Sequence, residues 1–159
     1  MTHNAVLLDT SFFIRFLNDS DPLYKNADAY FRYFLQHNIT MMISTISMAE
    51  YCVGGDINEL PLRNLQIIPF NLNHAKRTGE FAKIVFNNKG KLKLNERNII
   101  PNDTKLFAQA DTENTIVFYL SSDNESQKIY NIISQETAPQ FQFIDLKIPY
   151  NETFGLLDF

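Results

Sequence analysis

The fold is decided by residues 5–13, which read Ala5-Val6-Leu7-Leu8-Asp9-Thr10-Ser11-Phe12-Phe13. The first four residues form a short apolar run, which is typical of a strand buried on both faces of a parallel sheet. Asp9, Thr10 and Ser11 then supply side chains that can cap the start of a helix. A buried strand that leads directly into a helix is the repeating unit of parallel α/β proteins.

The same alternation continues along the chain. Apolar residues at helical spacing predict a helix over 27–37. Capping and helix-start residues predict three more helices, which begin after Ser44, after a cap at Asn73 and at Pro101. Apolar runs predict further strands at 39–43, 65–70, 115–120 and near 140–144. The predicted fold is therefore a three-layer α/β/α sandwich with a mostly parallel central sheet.

Composition narrows the class of protein. The chain has 159 residues, 45% of them hydrophobic and 20% charged, which fits one globular domain. A single cysteine excludes an intramolecular disulfide, and the three histidines are too scattered for a zinc site. Because no signal peptide or membrane span is recognisable, we expect a cytoplasmic protein. The net charge of -4 gives no general attraction to nucleic acid.

Four acidic residues occupy positions that should meet. Asp9 and Asp123 directly follow predicted strands, whereas Glu50 and Asp103 lie in the early part of helices that begin near the same edge. Ligands of open parallel sheets bind beyond the carboxyl ends of the strands, where neighbouring crossovers diverge. Each acid alone is more often a helix cap or a solvated turn. Their combined order predicts one acidic cluster.

Such a cluster points to a metal ion, because gathered carboxylates repel one another unless a cation neutralises them. Hard oxygen ligands suit Mg²⁺ or Mn²⁺. These ions can activate a bound water for hydrolysis of a phosphodiester, which suits the hydrolysis of nucleic acid. Among the hydroxyls beside the cluster, which include Ser11 and Ser122, we favour Thr10 and Ser121 as supporting residues that orient a carboxylate or a metal-bound water.

These residues resemble the PIN domain, and within it the VapC-type toxins of bacterial toxin–antitoxin pairs. The resemblance covers roughly residues 5–145. Its most specific segments are 6–14, Ser44-Thr45-Ile46-Ser47-Met48-Ala49-Glu50, Ile100-Pro101-Asn102-Asp103 and Tyr119-Leu120-Ser121-Ser122-Asp123. The last segment departs from the common Thr-x-Asp pattern. We therefore assign residues 1–146 to a PIN-like nuclease domain and residues 147–159 to a C-terminal tail to which the sequence gives no role.

The resemblance implies a ribonuclease that uses Mg²⁺ or Mn²⁺ to cleave single-stranded RNA. It implies metal-binding and catalytic roles for Asp9, Glu50, Asp103 and Asp123. It also implies an antitoxin partner and a homodimer. The aromatic-rich segments that contain Phe12, Phe13, Phe16, Tyr30, Phe31 and Phe34 hold more apolar surface than one helical stripe needs, which suggests an interface.

A basic stretch before Asp103 is a second candidate site. Its cations could hold the phosphates of RNA, although a solvated loop is the more common role of such a stretch. The candidate RNA-binding residues are Lys89, Lys91, Lys93 and Arg97.

Two other functions compete with the nuclease. A non-catalytic PIN-like module would bind RNA or protein, and the acidic net charge favours it. A phosphotransfer domain would also carry an aspartate after a strand, but the second aspartate expected two residues later is Ser11. The complete acidic set favours the nuclease over both.

Overall fold

A computed structural model describes residues 3–88 and 102–156. The strands in these ranges are β1 Ala5–Leu8, β2 Thr40–Ser44, β3 Leu65–Ile68, β4 Ile116–Ser121 and β5 Gln142–Asp145. The helices are α1 Thr10–Phe16, α2 Tyr24–Gln36, α3 Thr45–Tyr51, α4 Leu72–Asn87, α5 Asn102–Thr112, α6 Asn124–Glu136 and α7 Tyr150–Thr153, and short 3-10 turns span Ile57–Glu59 and Leu62–Asn64. No helix in the described ranges has the length and apolar character needed to cross a lipid bilayer.

The sheet has the order β3-β2-β1-β4-β5, and every neighbouring pair of strands is parallel. Helices α4, α5 and α6 cover one face, while α1 and α2 cover the other. Strand β1 lies at the centre, so Leu7 packs into one core and Leu8 into the other. This two-sided burial explains the continuous apolar run at residues 5–8. The predicted three-layer parallel fold is confirmed.

The strand order creates a switch point between β1 and β4. From β1 the chain moves outward through β2 to β3, and it then returns to the other side of β1 to build β4 and β5. The backbone N–H of Asp9 donates to the carbonyl of Leu120 over 3.2 Å, which joins the carboxyl ends of the two strands. Crossovers leave this point in opposite directions, and a crevice results. Asp9 therefore stands where this fold binds ligands.

Two local predictions are wrong. Helix α4 is capped by Asn71 rather than Asn73: the Asn71 side chain accepts a hydrogen bond from His74 N, and His74 Nδ1 accepts one from Asn71 N. This reciprocal capping box satisfies two backbone donors, which a cap at Asn73 could not do. Glu50 lies in the last turn of the seven-residue α3 rather than its early part.

The C-terminal tail packs onto α2. The Tyr30 hydroxyl donates to the carbonyl of Ile148 over 2.6 Å and pairs with the Thr153 hydroxyl. The Phe154 ring stacks on Tyr33 with centroids 4.5 Å apart. Tyr30 and Phe34 are completely buried as a result.

This packing corrects the interface prediction. Five of the six aromatic residues that suggested an interface are buried within the chain, namely Phe12, Phe13, Tyr30, Phe31 and Phe34. The tail covers Tyr30 and Phe34 of α2, so these two side chains do not provide an interface for a partner. The homodimer stays a prediction.

We expect Phe154→Ala to lower the free energy of unfolding by roughly 2 kcal/mol, because truncating a fully buried Phe costs about 3–5 kcal/mol and this ring is partly exposed. Urea unfolding would measure the change. Leu156→Ala is the matched control: Leu156 is 44% exposed, so its loss should stay below about 0.5 kcal/mol. Equal losses in the two variants would contradict a stabilising contact between Phe154 and α2.

Candidate active site

Asp9 is held by groups from two elements. As the N-cap of α1, its Oδ1 accepts a hydrogen bond from Ser11 N over 3.1 Å. Its Oδ2 accepts from Ser11 Oγ over 3.2 Å and from Ser121 Oγ at the end of β4. Asp9 is only 6% exposed, so its position and orientation are fixed within the crevice.

Ser11 is a site residue that was not among the predicted supporting residues. Its Oγ contacts Ser121 Oγ over 3.3 Å and accepts from Ser122 N over 2.9 Å. Ser121 Oγ in turn accepts from Asp123 N over 3.0 Å. The signal was present in the sequence, because a serine two residues after an N-cap stands beside the capping carboxylate.

Glu50 and Thr10 meet across 40 positions of sequence. Thr10 Oγ1 donates to Glu50 Oε1 over 3.3 Å, and the side chain of Asn102 also hydrogen-bonds to Glu50. Glu50 is exposed. The hydrogen bond from Thr10 links α1 to α3.

Asp103 and Asp123 reach the site from α5 and α6. Asp103 lies in the first turn of α5, and its Oδ1 accepts from Ser126 Oγ of α6 over 2.6 Å. Asp123 is the exposed N-cap of α6 and accepts from Glu125 N over 2.8 Å. The contact of Ser126 with Asp103 could not be predicted from the sequence, because a serine within a helix does not by itself indicate a site residue. Asp103 is thus held deeper in the site than Asp123, which lies on its rim.

The electrostatics link the four acids. The pKa of Asp9 is raised to about 6. Burial is the largest cause of the rise, the hydrogen bonds from Ser121 and Ser11 oppose it, and the charge of Glu50 adds to it. Burial also raises the pKa of Asp103 to about 6, with the charges of Asp9 and Asp123 adding to the effect. The pKa of Glu50 is raised as well, first because its carboxyl group is partly shielded from water and then by the charge of Asp103. The carboxylates therefore lie within electrostatic reach of one another.

A cation would relieve this repulsion. Within residues 3–88 and 102–156, no three acidic, histidine or cysteine side chains are arranged to hold a metal ion as they stand. Mg²⁺, however, usually keeps several waters and is held by only one or two carboxylates. Asp9 and Asp103 offer hard oxygen donors of that kind. The donor set therefore fits a hydrated divalent cation, although it does not form a closed cage of protein ligands.

The cations that the structure describes near the site were not among the predicted ones. The candidate RNA-binding residues Lys89, Lys91, Lys93 and Arg97 lie outside the described residues. Lys105 of α5 lies close enough to Glu50 for its charge to lower that pKa, and Lys147 Nζ donates to the carbonyl of Ser122 over 3.4 Å. Both lysines could contact an anionic substrate at the rim.

A cleft of about 450 Å³ opens beside Glu50. Its lining includes Ile14, Leu17 and Val53, which are 53%, 36% and 88% exposed. Apolar side chains exposed together beside a polar site are typical of a binding surface.

Comparison with solved structures identifies the fold. VapBC2 from Rickettsia felis, bound to a DNA fragment from its promoter, matches with a TM-score of 0.60 and 22% identity over 89% of this chain and 98% of that chain. DNA-bound VapBC from Salmonella typhimurium matches with a TM-score of 0.57 and 16% identity over 90% and 98% of the two chains. VapC20 of Mycobacterium tuberculosis, a sarcin-ricin loop cleaving toxin, matches with a TM-score of 0.53 and 15% identity over 78% and 94%.

The fold is that of an α/β domain with a ligand crevice at the switch point of a parallel sheet. More particularly, it is the VapC-type PIN-domain fold that the sequence resemblance implied. No protein-family model and no curated protein matches the chain. The catalytic roles of Asp9, Glu50, Asp103 and Asp123 stay predictions, as do the supporting roles of Thr10 and Ser121.

The raised pKa of Asp103 predicts a pH-dependent stability in the metal-free protein. This pKa lies above that of an aspartate in the unfolded chain, so protonation of Asp103 favours the folded state. That contribution to stability is fully present below about pH 4 and is lost as the pH rises through 6 and the carboxyl group becomes charged. In EDTA, Asp103→Asn should therefore be more stable than wild type at pH 7.5, by about 1–2 kcal/mol after allowance for partial exposure. Near pH 4 the difference should vanish.

Asp21→Asn is the control for this experiment. The pKa of Asp21 is lowered by its hydrogen bond with Arg15, so its contribution to stability is present at neutral pH and is lost in acid. Asp21→Asn should accordingly be less stable than wild type at pH 7.5. Urea unfolding at both pH values measures these differences, and an Asp103→Asn protein that is less stable than wild type at pH 7.5 would contradict a strained carboxylate.

Proposed function

We propose that this chain is a metal-dependent endoribonuclease that hydrolyses phosphodiester bonds of single-stranded RNA, and that it is the toxin of a type II toxin–antitoxin pair. The observation that carries the proposal is the acidic site at the switch point, where the Asp9 and Asp103 carboxylates both have a pKa raised to about 6. Like charges in a buried crevice need a counter-charge. A divalent cation supplies that charge and suits phosphodiester hydrolysis.

Asp9 and Asp103 would hold the cation, Mg²⁺ or Mn²⁺, with Glu50 and Asp123 at the rim. Bound there, the ion would supply an activated water and would neutralise charge on the phosphate oxygens. Ser11 and Ser121 keep Asp9 in a fixed orientation. Ser126 does the same for Asp103. Glu50 is exposed and its pKa is raised, so it is suited to accept a proton from water during hydrolysis.

The substrate class follows from the site and from the comparison. An acidic crevice with lysines at its rim favours a phosphate-bearing polymer held partly through a cation. One solved structure with this fold is a sarcin-ricin loop cleaving toxin, which supports RNA over other phosphodiesters.

An antitoxin is the proposed protein partner. Two structures with this fold are VapBC structures bound to DNA. The apolar cleft beside Glu50, with Val53 and Ile14 at its surface, suits a partner segment that would cover the site. A partner docked there would restrict access of RNA to Glu50.

A non-catalytic RNA- or protein-binding module is the second candidate. It is favoured by the absence, in the described part of the chain, of three potential ligands arranged around one metal position. Such a module would keep the fold and the crevice but would not turn over substrate.

Activity separates the two candidates. The purified protein should cleave single-stranded RNA with Mg²⁺ or Mn²⁺ and should stop when EDTA is added. Asp103→Asn should reduce the rate by more than about 100-fold, since even residues that only support a metal ligand can cost that much. Asp19→Asn, on an exposed loop, removes the same charge elsewhere and should cleave like wild type.

Cleavage is measured on a mixed RNA pool at matched protein purity. Equal rates for wild type and Asp103→Asn would mean that the nuclease belongs to a contaminant. RNA binding without turnover in wild type would favour the binding module.

A further inference from the structure

Tyr119 carries a buried hydroxyl for which the described part of the chain provides no hydrogen-bond partner. The residue lies in β4 and is completely buried. A buried tyrosine normally finds a partner for its hydroxyl, and phenylalanine would fill the same space without an unsatisfied polar group. Tyrosine at this position therefore needs an explanation.

The surroundings of the ring do not provide one. The ring packs in an aromatic cluster, 4.8 Å from the centroid of Phe107 and 5.7 Å from that of Phe143. These neighbours fill space but offer no oxygen or nitrogen to the hydroxyl. The aromatic cluster explains the ring of Tyr119 but not its oxygen.

Three elements, β4, α5 and β1, connect the position of Tyr119 with the acidic site. Side chains two residues apart in a strand point to the same face, so Tyr119 shares its face with Ser121, which bonds to Asp9. Phe107 follows Asp103 by four residues, or about one turn of α5. The register partner of Tyr119 in β1 is Leu7, two residues before Asp9.

The charges of the acidic site reach the Tyr119 hydroxyl. Burial is the largest cause that raises the pKa of Tyr119 well above its usual value, and the charges of Asp9, Asp103, Glu50 and Asp123 add to the rise in that order. Charge interactions weaken with distance. The hydroxyl therefore lies within range of these charges and stays protonated, as a hydrogen-bond donor.

We infer that Tyr119 is a positioning residue of the acidic site, whose hydroxyl donates to a water that joins it to the carboxylates of Asp9 and Asp103 when a divalent cation is held there. This inference rests on the proposed function. A donor beneath the carboxylates favours their charged form and limits their movement. It would act as the outer-shell partners of other metal sites do, by orienting ligands that it does not replace.

Tyr119→Phe tests the inference because it removes only the hydroxyl. In EDTA the variant should unfold at the same temperature as wild type or at a higher one, since an unsatisfied buried group is lost. Mn²⁺ should nevertheless bind roughly 10-fold more weakly, as is usual when an outer-shell partner is removed. Isothermal titration with Mn²⁺ measures the affinity, and thermal unfolding with and without Mn²⁺ provides a second readout.

Tyr130→Phe is the matched control within the same aromatic cluster. The Tyr130 hydroxyl donates to the carbonyl of Phe141 over 2.9 Å, so its removal should lower stability and leave Mn²⁺ affinity unchanged. Equal Mn²⁺ affinity in wild type and Tyr119→Phe would overturn the role of Tyr119 alone. A wild-type protein that binds no Mn²⁺ and cleaves no RNA would overturn the proposed function together with it.

Discussion

Asp9 accepts hydrogen bonds from Ser11 and Ser121 at a point that solvent hardly reaches. These bonds join the end of β1 to the end of β4, the two strands on either side of the switch point. They lower the pKa of Asp9, but burial outweighs them and the pKa remains raised to about 6. The carboxylate is thus well oriented and poorly solvated, a combination that charge from a bound cation would relieve.

The rest of the fold positions the groups that surround Asp9. Two cores hold β1 rigidly from both sides, through Leu7 on one face and Leu8 on the other. The crossovers deliver α3, α5 and α6 to the same edge, each with one acidic residue or cap. Serine and threonine hydroxyls then fix three of the four carboxylates. Functional groups on rigid elements are held more accurately than groups on loops, which suits a site that must place a metal and a phosphate together.

Much of this arrangement could be predicted from sequence, because apolar runs and helix caps are local signals. The strand before Asp9 and the helix start at Asp103 were found in this way. Long-range contacts had no such signal: Ser126 reaches Asp103 only because α5 and α6 pack side by side. The packing of the tail on α2 was missed for the same reason, since its aromatic residues look like an interface until their partners are known.

The proposed function requires Asp9 and Asp103 to hold a divalent cation together. A crystal grown with Mn²⁺ tests it directly, because the anomalous scattering of manganese locates the ion without reference to any mechanism. We expect one strong peak in the crevice between β1 and β4, within about 2–2.3 Å of an oxygen of each aspartate or of waters that they hold. A well-ordered crevice with no peak, or a peak bound elsewhere on the chain, would contradict the proposal.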